Sequence, residues 1–240
     1  LDPQKTVLIT GATGGLGSLV ARHLIEAHGV RHLLLISRSG PKAKGAKELA
    51  KELKDLGAKV KIAACDVSDR EQLEALLAKL PKAHPLGAIV HAAGVLDDAT
   101  VQKLTPEQLG RVFKAKADSA LALHELTKDQ ELSAFVLFSS AAGALGAPGQ
   151  ANYAAANSFL DALAQRRRTE GLPATSIAWG LWQRESAMTS HLGEAEKARM
   201  ERSGIVALSD EQGLALFDQA LARSPSLALA VGLKREALRS

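Results

Sequence analysis

The sequence predicts a single α/β domain: a doubly wound parallel sheet of about seven strands, in the order 3-2-1-4-5-6-7, with helices on both faces. Three observations predict it. Short aliphatic runs alternate with helix-length amphipathic segments along all 240 residues. Runs such as Leu33-Leu34-Leu35-Ile36 are apolar at every position, as in a strand covered on both faces. Glycine-rich text follows the first run directly, where such folds turn into their first helix.

The elements follow in order. Thr6–Thr10 is the first strand, and Leu16–His28 has helical spacing. Arg31–Ile36 is the second strand. Gly45–Leu56 is an amphipathic helix stopped by Gly57. Lys59–Ala63 is the third strand. Ser68 is the expected cap of a helix over Asp69–Leu80, which stops at Pro81. Gly87–His91 is the fourth strand. Thr105-Pro106 opens a long helix reaching about Thr127. Ala134–Phe138 is the fifth strand, and a small-residue loop covers Ser139–Gly149. Ala151–Arg168 is a helix and Ala174–Ala178 the sixth strand. An irregular excursion over Gly180–Gly204 contains a helix at Glu194–Arg202. Ser209 caps a helix to about Ala222, and Leu227–Val231 is the last strand.

Composition excludes several classes. Apolar residues make up 46% and charged residues 23%, so there is enough apolar surface to fold. The lone Cys65 rules out an internal disulfide and a thiolate-rich zinc site. No apolar run approaches the ~20 residues that span a bilayer. No secretory signal opens the chain, and a reducing, cytoplasmic setting is expected. A first residue of Leu rather than Met marks the chain as an expected piece of a longer protein. The net charge of +4 is modest, and the lysines at 42, 44, 47, 51, 54, 59 and 61 read as a solvated helix face. Few aromatic residues argue against nucleic-acid binding, and Arg166-Arg167-Arg168 reads as a helix face. The histidines at 23, 28, 32, 84, 91, 124 and 191 are scattered. His28 and His32 straddle a helix end, so no metal site is expected.

The first chemical motif is Thr10-Gly11-Ala12-Thr13-Gly14-Gly15-Leu16-Gly17. The first glycine permits a tight turn, and the others let backbone approach a pyrophosphate. The following helix N-terminus offers N–H groups and partial positive charge to phosphate. This is a Rossmann-type dinucleotide turn, and the spacing Gly11-x3-Gly15-x-Gly17 resembles that of short-chain dehydrogenases. The second strand ends in Ser37-Arg38-Ser39. An arginine without a carboxylate there favours a ribose 2′-phosphate, hence NADPH. Cys65-Asp66-Val67 follows the third strand, with Asp66 placed for the adenine amino group. His91-Ala92-Ala93-Gly94 ends the fourth strand with small residues that let the cofactor pass close.

The second motif combines Ser140, Tyr153 and Asn157. Tyr153, the only tyrosine, opens a helix, and Asn157 shares its face four residues on. A phenol is a weak acid, so a general-acid tyrosine needs a cation nearby. Short-chain dehydrogenases usually place that lysine where Asn157 stands. Here Lys116 in the preceding long helix is the candidate. Together with Val136-Leu137-Phe138-Ser139-Ser140-Ala141-Ala142-Gly143, Gly149-Gln150-Ala151-Asn152-Tyr153 and Trp179-Gly180-Leu181-Trp182, this exchange resembles the ketoreductase domains of modular polyketide synthases.

That resemblance runs from about Thr6 to the chain end. It implies NADPH-dependent reduction of a β-ketoacyl thioester carried on an acyl carrier protein, within a multidomain synthase. It implies that Tyr153 is the general acid, that Ser140 holds the substrate carbonyl, and that Lys116 and Asn157 support a proton relay. Leu96-Asp97-Asp98 matches the fingerprint of B-type domains, as do Pro148 and Asn152, and Leu145 stands where A-type domains carry tryptophan. The implied product is the 3R (D) alcohol, and Ala156 in place of a proline implies no epimerisation. Trp182–Gly204, with Met188, is the implied substrate lid. Such ketoreductases usually carry a second, structural subdomain upstream, so residues 1–240 read as the catalytic half alone. An apolar face left by its absence predicts a homodimer or solubilising substitutions. Two other readings stay open: a catalytically silent scaffold binding cofactor or carrier protein, and a generic short-chain alcohol dehydrogenase.

Overall fold

The computed structural model describes residues 1–184 and 204–234. The first half of the chain alternates strictly: β1 (Thr6–Thr10), α1 (Gly15–Glu26), β2 (His32–Ser37), α2 (Ala46–Asp55), β3 (Lys59–Ala64), α3 (Arg70–Leu77) and β4 (Leu86–His91). Then come α4 (Pro106–Phe113), a π-helical turn (Lys114–Asp118), α5 (Ser119–Thr127), β5 (Ala134–Ser140), α6 (Ala142–Leu145), α7 (Ala151–Thr169) and β6 (Thr175–Trp179). The described chain closes with β7 (Ile205–Val206), α8 (Asp210–Arg223), β8 (Leu227–Ala230) and β9 (Gly232–Leu233). Seven parallel strands form one sheet in the order β3-β2-β1-β4-β5-β6-β8, and β7 pairs with β9 antiparallel. Counting sheet strands alone, this is the expected 3-2-1-4-5-6-7. It places the C-terminal ends of β1 and β4 side by side, where the strand order reverses and ligands bind.

Alternation along each strand divides the core between the two faces. Val7 and Ile9 join Leu33, Leu35, Val90, Val136 and Phe138 beneath α1, α2 and α8. Leu8 joins Leu34, Ile36, Ile89, Phe135 and Leu137 beneath α3, α5 and α7. The central strands β1, β2, β4 and β5 feed both cores, which is why their sequences are almost wholly apolar. By contrast, β3 at one edge carries exposed Lys59, and β8 at the other exposes Leu227 and Leu229.

Local chemistry shifts some boundaries. Asp69, not Ser68, caps α3: its carboxylate accepts the Glu71 and Gln72 N–H groups at 3.1 Å. The Ser68 hydroxyl is already committed, donating to Asp66 at 2.6 Å. Thr105 and Ser209 each close a capping box, with Gln108 and Gln212. The expected loop at 139–149 contains the short helix α6. Arg167 departs from the helix-face reading of its arginine run. It is buried, its guanidinium lies 3.9 Å from the Phe135 ring centroid, and it donates to the Pro173 carbonyl and His124 Nδ1. The expected helix at 194–202 lies outside the described residues.

Candidate active site

The glycine turn is built by contact as well as by conformation. Gly11 has φ +65°, and a Cβ there would sit 2.8 Å from the Ala92 carbonyl oxygen and the Ala93 nitrogen. A Cβ on Gly17 would sit 2.4 Å from the Gly11 carbonyl oxygen. So the turn after β1, the start of α1 and the strand end Ala92-Ala93 meet backbone to backbone. Gly14, the residue before α1, offers no capping side chain to the helix's first N–H groups. Thr10, Gly11, Thr13, Gly14, Gly15, Leu16 and Gly17 therefore surround a helix N-terminus suited to a phosphate. The uncapped start of α1 is the feature that suits a dinucleotide phosphate, and the backbone contacts of Gly11 and Gly17 hold the turn in place around it.

Ser37, Arg38 and Ser39 lie at the end of β2, where Ser37 Oγ accepts the Gly40 N–H at 3.0 Å. Arg38 is exposed and close enough to Asp66 to help lower its pKa. The hydroxyl and backbone N–H of Ser68 hold the Asp66 carboxyl below its ordinary range, with Lys114 and Arg38 assisting. Val67 is buried beside it. Cys65 is buried too, and burial pushes its thiol up to about 11, so it packs rather than reacts.

His91 is fully buried and works as a clasp. Its Nε2 is 3.1 Å from the Lys116 carbonyl, which can only accept, so Nε2 carries the proton. Nδ1 then accepts from the Thr10 hydroxyl at 2.8 Å, leaving Thr10 Oγ1 to accept the Ala93 N–H at 3.2 Å. Burial, with the Lys116 charge, pushes the imidazole down to about 3 and keeps it neutral. This chain of bonds ties the ends of β1 and β4 to the π turn. Ala93 is thereby positioned through its backbone, between Ala92 and Gly94.

The π turn is the local device that delivers Lys116. A widened turn inside a helix redirects one side chain, and such turns concentrate at functional sites. Lys116 is 3% exposed and donates to the Phe138 carbonyl at 3.0 Å. Its ammonium stands 5.3 Å from the Tyr153 ring centroid. Burial pushes it down to about 8, partly offset by Asp161.

Tyr153 projects from the first turn of α7, and Asn157 sits one turn on, fully buried. Asn157 Nδ2 donates to the Tyr153 carbonyl at 2.8 Å, and the Asn157 carbonyl accepts from Ser139 Oγ at 3.2 Å. Its Oδ1 is buried without a partner, an acceptor suited to a bridging water or ligand group. Burial raises the Tyr153 phenol above its ordinary value, while contacts with Ser140 and Asn157 pull it back. The Lys116 ammonium faces the ring of this candidate acid. Ser140 ends β5, and its Oγ accepts the Ala142 N–H at 3.2 Å.

The candidate specificity residues form a second layer. Asp97 accepts from Gln108 at 2.9 Å and Arg111 at 2.5 Å, and its carbonyl accepts from buried Asn152 at 2.8 Å. Gln150 donates to Asp98 at 2.7 Å, and Ala99 bridges to Gln150. The Leu96-Asp97-Asp98 segment is thus tied to the start of α7, beside Tyr153. Gln108 and Arg111 are missing from the sequence reading, and Gln150 enters it only as motif text, since no local spacing pairs them with Asp97 or Asp98. Leu145 and Pro148 are exposed on the segment before α7. Trp182 is seated in the core, 5.0 Å from the Trp179 ring and directly over Gly213. Met188 lies outside the described residues.

Fold and site define a nucleotide-dependent oxidoreductase of the short-chain dehydrogenase type. The family model described as KR domain matches residues 5–184, and the chain belongs to that family. KR domains of polyketide synthases reduce ketoacyl groups with NADPH. The chain is 56% identical over 238 residues to the polyketide synthase GfsB of Streptomyces halstedii, covering 99% of this chain and 4% of that protein. It is 54% identical over 239 residues to the erythronolide synthase EryA2 of Saccharopolyspora erythraea, covering 100% of this chain and 6% of that one. Among solved structures, an A1-type ketoreductase superposes with a TM-score of 0.91 at 48% identity, over 98% of this chain and 49% of its own. The first ketoreductase of the tylosin synthase gives 0.88 at 45%, over 98% and 50%.

Proposed function

We propose that the chain reduces a β-ketoacyl thioester, presented on an acyl carrier protein, to the 3R β-hydroxyacyl thioester with NADPH. The observation that carries this reading is the convergence of Tyr153, Lys116, Asn157 and Ser140 beside the glycine cradle. When bound, NADPH supplies hydride to the carbonyl carbon. Ser140 is placed to hold the carbonyl oxygen, and Tyr153 to give it a proton. The buried Lys116 ammonium favours the negative charge that then arises on the phenolic oxygen. The unpartnered Asn157 Oδ1 is placed to orient a water between Lys116 and solvent, through which the phenol is reprotonated.

Arg38 supports the choice of NADPH over NADH, because its exposed guanidinium at the end of β2 suits a phosphate. The 3R assignment rests on Leu96-Asp97-Asp98 and on Leu145 in place of tryptophan. The hydrogen bonds from Gln108, Arg111, Asn152 and Gln150 give that segment a fixed position at the cleft. Similarity to an A1-type structure makes stereochemistry the part most in need of measurement. The test is loss of NADPH absorbance with a β-ketoacyl thioester, followed by chiral chromatography of the product. A 3R product supports the full reading. A 3S product overturns the stereochemical part, and no turnover with tight NADPH binding favours the silent scaffold.

A further inference from the structure

Two of the histidines that look scattered in sequence, His23 and His28, are brought together by the fold. His23 lies in the last turn of α1, and His28 just beyond it. The chain turns back there: Gly29 has φ +67°, and the Val30 N–H closes onto the Leu24 carbonyl at 3.0 Å. Asp218 comes from the middle of α8. Both imidazole Nε2 atoms lie 2.7 Å from the same oxygen, Asp218 Oδ1, and the three donor atoms lie within 4.8 Å of one another. The two rings meet edge to face, 5.4 Å between centroids, and His23 also packs on Phe217.

We propose that His23, His28 and Asp218 form a three-ligand site for a divalent transition cation of the zinc type. Two imidazoles and one carboxylate are a donor set that suits such ions, and no thiolate is involved to select a softer one. Tetrahedral zinc with bonds of about 2.0–2.1 Å needs donors roughly 3.3 Å apart, so each side chain shifts by only about half an ångström. The Asp218 side chain is 39% exposed, which leaves solvent to supply a fourth ligand. The C-terminal end of α1 carries partial negative charge and favours a cation. A metal held at Nε2 leaves Nδ1 of each ring to carry the imidazole proton. The site is remote from the chemistry, since His23 lies roughly 12 Å along α1 from the glycine turn. Its effect is structural, tying α1 to α8.

The test uses chelator-treated protein titrated with zinc chloride by calorimetry, and with cobalt(II) by visible absorption. One equivalent should bind, with the intense bands of tetrahedral cobalt, and thermal unfolding should shift upward with zinc concentration. Asp218→Asn and His28→Gln should each weaken binding at least about tenfold. His28→Gln lies outside the helix and carries the test if the Asp218 variant fails to fold. His32 and His84, stacked 3.5 Å apart, are the competing pair, and the double variant His32→Gln/His84→Gln should bind normally. No saturable binding, or binding lost in that control instead, overturns the proposal.

Discussion

Replacing Lys116 by Met should make the protein more stable and less active. The ammonium is buried, and burial pushes it down to about 8 from 10.5. That gap corresponds to about 3 kcal/mol of destabilisation near neutral pH, where both folded and unfolded chains hold the proton. Met keeps most of the stem without the charge. It loses the bond to the Phe138 carbonyl, which costs about 1–2 kcal/mol. The net expectation is a gain of about 1–2 kcal/mol, or roughly 3–6 °C in Tm for a chain of this size. The sign depends on pH. Between 8 and 10.5 the folded state binds fewer protons than the unfolded state, so wild-type stability climbs relative to the variant as pH rises. Above 10.5 the penalty is gone and wild type is the more stable. Calorimetry on both proteins across this range measures the difference. A variant less stable than wild type near neutral pH, or a difference that stays flat across the window, would refute the buried-charge argument. Turnover should fall by about two orders of magnitude, because the charge supports the proton donor.

Gly11→Ala should lose dinucleotide binding and about 1–3 kcal/mol of stability, because its Cβ would strike Ala92 and Ala93 at a positive φ; fluorescence titration and denaturant unfolding check both. His91, neutral in the fold, is pushed down to about 3 from 6.5, so the unfolded state binds more protons between those values. Stability should therefore fall by about 1.4 kcal/mol per pH unit as pH drops below 6.5, and denaturant midpoints for His91→Gln should show a flatter acid branch. Arg38→Ala should lower the preference for NADPH over NADH at least about tenfold in kcat/KM, with little change in Tm.

Legibility in the sequence followed the range of the interactions. The central strands were readable because each must be apolar on both faces, as Leu33 to Ile36 shows, and their alternation with helices pointed to one parallel sheet. The glycine turn was readable because its constraint is local. Tyr153 and Asn157 share a helix face, so spacing was enough to pair them. Lys116 needed the family resemblance, since nothing local joins it to Tyr153 across α5 and β5. The π turn that aims Lys116 left no readable mark, because the surrounding sequence has ordinary helical character. The His91 clasp was equally hidden, as it joins Thr10, His91 and Lys116 through atoms from three separate elements. The same is true of Arg167, whose two exposed neighbours gave its run the look of a solvated face. Ser68 was the expected cap for α3, but its hydroxyl is taken by Asp66 and the cap falls to Asp69, a competition that the sequence does not display.

The most direct test of the account compares wild type with Tyr153→Phe, measuring NADPH affinity and turnover of a β-ketoacyl thioester on the same preparations. The account predicts unchanged affinity within about twofold and turnover reduced by roughly two to four orders of magnitude. Turnover that survives the substitution would contradict the assignment of Tyr153 as proton donor and, with it, the proposed chemistry.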